Sequence, residues 1–219
     1  RVDRRAVVEA IGTTQGLVSE AFDLARVACG YAINLRSETQ VKEYLYGIAL
    51  YEVQKSGKRK SAGTKSSGQS SDQDAINALR MRVLPFDADT ENGDGLTLEY
   101  VLGRIDQGAD MFLEAMALHT YAFATMNTYL YGLCKSVYEL VEPDEEARKR
   151  KAKKAREELR SRQVTVEDVC ERVYPDVSQH TQANGRWSWT DPPMTGVPKS
   201  LHHIFIPDPG TAWLVYDYK

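Results

Sequence analysis

Apolar side chains recur at three-, four- and seven-residue steps from Thr97 to Val141, and this long stripe constrains the fold more than any other feature. Val101, Ile105, Phe112, Met116, His119, Phe123, Met126, Leu130, Leu133, Val137 and Leu140 all keep that spacing. Such a period places them along one face of a helix. At about 1.5 Å per residue an unbroken helix over this stretch would reach ~65 Å, longer than a domain of this size is wide. It must therefore kink or serve as the spine of a bundle. The fold class read from the sequence is mainly α, a helical bundle built on one long helix at about 97–141, with an extended or β-hairpin tail at the C-terminus.

Other helices follow from similar patterns. Val7 and Ile11, then Val18, Phe22, Ala25 and Cys29, share a face, and the run Gly12 to Gly16 is expected to interrupt it with Thr13 or Thr14 as a cap. Ser37 with Gln40 fits a capping box, opening a helix through Val41, Leu45, Ile48 and Tyr51. A short helix over Asp74–Arg82 precedes Pro85 and an acidic turn from Asp87 to Gly95. Pro143 begins another helix, to Arg162, whose apolar side chains are only Ala147, Ala152, Ala155 and Leu159. Thr165 with Asp168 caps a short helix through Val169 and Val173, ended by Pro175. From Pro175 onward lie six of the eight prolines and all three tryptophans, and Leu201–Ile206, Pro207–Gly210 and Thr211–Tyr218 read as strand, turn and strand. The domain organisation is thus a helical body at 1–174 and a Pro- and Trp-rich tail at 175–219, packed on the body or on a partner.

Charge is distributed unevenly. The stretch Lys55 to Ser71 holds five basic residues (Lys55, Lys58, Arg59, Lys60 and Lys65) and no carboxylate, while Arg148 to Arg162 holds nine against Glu157 and Glu158. These stretches contain 14 of the 28 Lys and Arg, leaving 14 basic against 29 acidic side chains elsewhere, a formal -15 beneath a total of -3. Asymmetry of this kind concerns partners and not fold. The first stretch is too rich in Ser, Gly and Lys to bury a core, so it reads as a flexible basic loop at 55–73. The second reads as a solvated basic helix at 143–163. The candidate anion-binding residues are Lys55, Lys58, Arg59, Lys60, Lys65, Arg148, Lys149, Arg150, Lys151, Lys153 and Lys154. They face nucleic-acid phosphates or an acidic neighbouring surface; without an interleaved aromatic or a base-reading amide, nucleic-acid binding would be sequence-blind. The alternative is a solvated helix pairing Lys153 with Glu157 and Lys154 with Glu158.

Nothing in the chain carries a catalytic motif. Asp87, Asp89, Glu91 and Asp94 fail as a calcium loop in either register, because Val101 or Leu98 falls where a bidentate Glu is needed. His119, His180, His202 and His203 lack zinc spacing; His119 lies on the apolar stripe, and His202 and His203 alternate on an expected strand. Ser188, His180 and Asp191 have no nucleophile turn. No metal or cofactor is implied. Cys29, Cys134 and Cys170, three in number, read as buried thiols in helices and favour an intracellular setting weakly. The chain begins at Arg1, so a removed leader stays open. No window reaches the ~18 apolar residues of a membrane span.

Tyr121, Tyr129 and Tyr131 spread around the long helix, making it either central in its own bundle or covered by a partner; with Trp187, Trp189 and Trp213 they form the candidate interface set. The function expected from these features is a non-enzymatic helical subunit of an assembly, a scaffold, coat or nucleoprotein component, with protein partners or self-association. A helical enzyme assembled around His119 and an amphipathic membrane-active protein are the alternatives.

Overall fold

The first helix shows how local polar chemistry sets the element boundaries. In the computed structural model, which describes residues 1–52, 73–87, 96–140, 144–174, 176–178, 188–190 and 197–212, α1 runs without interruption over Arg4–Cys29. The Asp3 carboxylate starts it by accepting from the Arg5 and Ala6 backbone amides at 3.0 and 3.1 Å. The expected break at Gly12–Gly16 is absent. Thr14, instead of capping a second helix, donates its hydroxyl back to the Ala10 carbonyl at 2.7 Å and is buried. Inside a helix this back-bonding satisfies the hydroxyl, and the cost of two interior glycines, about 1 kcal/mol each, is one that packing overrides.

Contacts divide the chain into two units, a middle unit of Gln15–Phe123 and a terminal unit formed by Arg1–Thr14 with Ala124–Lys219. The middle unit contains most of α1, α2 (Glu38–Lys42), α3 (Gln73–Val83), α4 (Leu98–Asp106) and α5 (Met111–Ala124), which ends in the other unit. Its core joins Ala21, Ala25, Val41, Leu45, Ile76, Leu79, Val101, Phe112, Leu113 and Met116.

The long helix predicted at about 97–141 is three elements. Thr97 caps α4, its hydroxyl accepting from the Tyr100 amide at 3.2 Å. Gly108, at φ +97°, then turns the chain out of the helix while Ala109 donates to the Arg104 carbonyl at 2.9 Å, a left-handed C-cap open to glycine. Asp110 restarts the helix, accepting the Leu113 amide at 3.0 Å. From Phe112 through His119 every side chain of α5 is buried, so this helix is the centre of the middle unit. It continues through a π turn at Thr125–Leu130 and a 3-10 turn at Tyr131–Leu133, and stops where Cys134 becomes extended and bridges Val169.

The Ser37 cap forms, its hydroxyl accepting from the Gln40 amide at 3.4 Å. After α2 the helix widens into a π turn, Glu43–Ile48, in which Ala49 donates to the Tyr44 carbonyl. The wider turn shifts the phase, leaving Leu45 buried and Ile48 exposed, against the simple periodic expectation. Leu50 then sits at φ +56° and is 76% exposed. A left-handed leucine carries strain of about 1–2 kcal/mol that no packing here offsets. Leu50→Gly is expected to raise the stability of the protein by about 0.5–1 kcal/mol, seen as a higher melting temperature; a lower one would show that the exposed side chain contributes more than the strain costs.

The terminal unit is tied by backbone bonds between distant segments. Val2 bridges Phe205 and donates to the Glu171 carbonyl at 2.9 Å, and Cys170 donates to the Leu133 carbonyl at 2.9 Å. Within it α6 (Lys135–Tyr138) packs on α7 (Glu145–Ser161), which Asp144 caps. The Thr165–Asp168 capping box is present, but it opens a single 3-10 turn, Val166–Asp168, because Val169 leaves to pair with Cys134. Arg162 grips Asp168 with two bonds of 2.7 and 2.6 Å and holds that carboxyl well below the usual range.

The tail differs in detail from its expectation. A short antiparallel pair joins β1 (Asp176–Ser178) to β2 (Ser188–Thr190). The expected strand at Leu201–Ile206 is instead a 3-10 helix, Lys199–Ile204, in which Leu201 and Ile204 are buried while His202 and His203 are exposed. Burial at a step of three fits three residues per turn, not the alternation of a strand. The turn before Thr211 forms, with Thr211 donating to the Asp208 carbonyl at 2.9 Å and Gly210 at φ +80°. The second expected strand lies almost wholly outside the described residues.

Candidate nucleic-acid interface

Helix α7 begins with acids and continues with cations, an order that suits the helix dipole at its N-terminus. Glu145 and Glu146 occupy the first turn, and both pair with Lys149, at 2.9 and 3.2 Å, holding its ammonium above the ordinary lysine value. Leu159, 1% exposed, anchors the helix at its other end. Ala147, Arg148, Ala152 and Ala155 are half-buried, which fixes the inner face.

Between these ends the segment 147–156 contains seven cations and no carboxylate. Lys149, Arg150, Lys151, Lys153 and Lys154 are exposed, and Arg148 is half-buried. The intrahelical pairs expected between Lys153 and Glu157 and between Lys154 and Glu158 are not formed, whereas Lys149 pairs with Glu145 and Glu146 at the start of the helix. The structure therefore places six predicted anion-binding residues, Arg148 to Lys154, on one helix, over about 9 Å of its axis. Lys55, Lys58, Arg59, Lys60 and Lys65 lie outside the described residues.

The aromatic candidates separate. Tyr131 is fully buried in the terminal unit, so it is a core residue and offers no surface to a partner. Tyr121 packs against the core of the middle unit, and Tyr129 is half-buried. Trp189 belongs to β2, its backbone paired with Val177, and Trp187 and Trp213 lie outside the described residues.

His119 is enclosed in the middle unit, edge-on to Phe22 at 5.2 Å and stacked on Phe123 at 5.6 Å, whose ring also lies 4.9 Å from the Arg36 guanidinium. Burial, then the Arg36 charge, lowers the imidazole to about 4. It is a packed neutral ring at physiological pH. Burial likewise pushes the Cys134 thiol up to about 12 and that of Cys170 to about 11, so both are protonated and unreactive at neutral pH. Cys134 itself stands in an extended bridge, not in the helix expected for it.

Periodicity did not single out one cluster. Glu114, 1% exposed on α5, accepts two bonds from Arg80, at 3.0 and 2.7 Å, and a third from Arg104 at 3.0 Å. Arg104 also donates to the Leu84 and Pro85 carbonyls at 2.7 and 3.2 Å, and Phe86 lies beneath both guanidiniums at 4.4 and 5.1 Å. A lone carboxylate in the apolar run Met111–Leu118 was the available signal. Its arginines are enclosed by their own chain and belong to the core.

Among the described residues no group of His, Cys, Asp and Glu is placed to hold a metal ion, and no helix is long and apolar enough to cross a membrane. No family model matches the chain, and no curated protein does.

Proposed function

We propose that this chain is a non-enzymatic helical subunit of a larger assembly that holds nucleic acid by its phosphates through α7. The observation that carries this reading is the carboxylate-free cationic segment 147–156, five of whose seven cations are exposed, on a helix with Leu159 buried. Its length of about 12 Å spans three or four phosphates of a duplex strand, which rise about 3.4 Å apiece. Each contact releases condensed counterions, which is the main source of sequence-blind affinity. α7 carries no aromatic for base stacking, so affinity comes from phosphates and not from bases. The assembly part of the reading draws support from large apolar side chains exposed on the middle unit, Val27, Tyr31 and Ile48 among them.

The test is a titration of labelled mixed-sequence RNA and DNA against the protein and against a variant with Arg150, Lys151, Lys153 and Lys154 changed to Gln. The variant is expected to bind at least tenfold more weakly, with the same helical content. Unchanged affinity, or binding only of acidic protein surfaces including a second copy of this chain, overturns the reading.

A further inference from the structure

The segment 38–48, formed by α2 and the π turn that follows it, has an outer face that its own unit leaves uncovered. Val41 and Leu45 are buried in the core of the middle unit. Thr39 and Gly47, with Glu43 between them at steps of four, are exposed along the opposite side. Gly47 and Ile48 belong to the π turn Glu43–Ile48, a kind of turn that recurs at functional sites. Gly47 makes the face hollow, because a Cβ at that position would meet only the Glu43 side chain, at 4.0 Å. Glu38, Lys42 and Tyr46 complete a groove of about 570 Å³ around it. Ile48, 56% exposed, stands one turn beyond Tyr44, whose hydroxyl donates to the Ala28 carbonyl at 3.4 Å. That bond brings Val27 and Tyr31, exposed at the end of α1 and just beyond it, alongside Ile48. A groove, a glycine notch and an apolar ridge thus adjoin on one short element.

The charges on this face point to what covers it. Lys42 pairs with Glu38 at 2.5 Å, while Glu43 is exposed and forms no ion pair among the described residues. Adjacent residues stand about 100° apart on a helix, so Lys42 and Glu43 look to the two sides of the line through Thr39 and Gly47. Because the face carries both signs, neither a polyanion nor a polycation matches it. A second copy of the same face does. With the two segments side by side and parallel about a two-fold axis, Lys42 of each copy meets Glu43 of the other in two identical pairs, and Tyr46 of each lies over the Gly47 notch of the other. A two-fold interface requires one such self-complementary patch on both subunits. We infer that the outer face of segment 38–48 is where two copies of this chain join, with Ile48, Val27 and Tyr31 as the apolar margin of the contact. This rests on the assembly part of the proposed function and uses no residue of α7.

The test is the mass of the nucleic-acid-free protein, followed by sedimentation equilibrium over a dilution series. The native chain is expected to pass from dimer to monomer on dilution. Gly47→Leu fills the notch with a side chain that the single chain has room for, and is expected to weaken the dimer by about tenfold or more with unchanged helical content. Lys42→Glu and Glu43→Lys are each expected to weaken it as well, and an equimolar mixture of the two to restore it, since each then supplies the charge that the other lost. A native chain that is a monomer at every concentration, a dimer that all three variants leave unchanged, or a mixture no stronger than its components overturns the inference. RNA binding by such a monomer leaves the α7 reading standing, whereas a dimer with these properties that binds no RNA keeps this contact and overturns that reading.

Discussion

Replacing Glu114 by alanine is expected to remove about 3–5 kcal/mol of stability, the usual cost of leaving a buried ion pair with one partner. The carboxylate accepts from Arg80 and Arg104 together, and the three side chains are 6% exposed or less. Without it two guanidiniums face each other inside the middle unit, and the Phe86 ring and the Leu84 and Pro85 carbonyls do not supply the missing negative charge. A domain is stable by only about 5–15 kcal/mol, so the loss is a large fraction of the total. Urea unfolding of the purified variant gives the number. Replacing all three residues by apolar side chains of similar volume is expected to recover much of the loss, because the desolvation cost disappears with the charges. A Glu114→Ala variant that loses less than about 1 kcal/mol would show that the cluster is not structural.

Acid is expected to weaken the protein through His119 before most carboxylates titrate. Its folded value of about 4 lies below the ordinary 6.5, so between these limits the unfolded chain binds the proton that the folded chain refuses. The His119 contribution is therefore complete above pH ~6.5 and is lost as pH falls towards 4. From pH 7 to pH 5 it amounts to about 2 kcal/mol. His119→Leu keeps an apolar filling between Phe22 and Phe123 and removes the titration. Denaturant midpoints at pH 7 and pH 5 are expected to fall further apart in the native sequence than in the variant. Equal pH dependence in both proteins would mean that the ring accepts a proton where it is.

The helical class was legible because burial follows periodicity wherever backbone hydrogen bonding stays regular. Val101, Phe112, Met116, Met126, Leu130 and Leu133 are buried as their spacing requires. The breaks were harder to read. Gly108 and Asp110 carry the stop and start of two helices, yet the apolar stripe runs through them, and it masked the C-cap. At Gly12 and Gly16 the reverse happened: glycines suggested a break, yet α1 runs through both. The π turn at Glu43–Ile48 shows no signal in residue type. In the candidate site the charge row was plain from composition alone. The inner face of α7 was legible too, since Ala147, Ala152, Ala155 and Leu159 are the covered apolar positions; the half-burial of Arg148, Arg156 and Arg160 beside them was not. The Arg80–Glu114–Arg104 cluster joins residues 34 and 10 positions apart, and no local pattern connects them.

Salt dependence of nucleic-acid affinity tests the central claim most directly. If α7 neutralises three or four phosphates, the logarithm of the binding constant is expected to fall linearly with the logarithm of salt concentration, with a slope of about -2 to -3.5. The variant lacking Arg150, Lys151, Lys153 and Lys154 should show a shallower line. A flat response of the native protein between about 50 and 200 mM salt, or the same slope after those four cations are removed, would contradict the account.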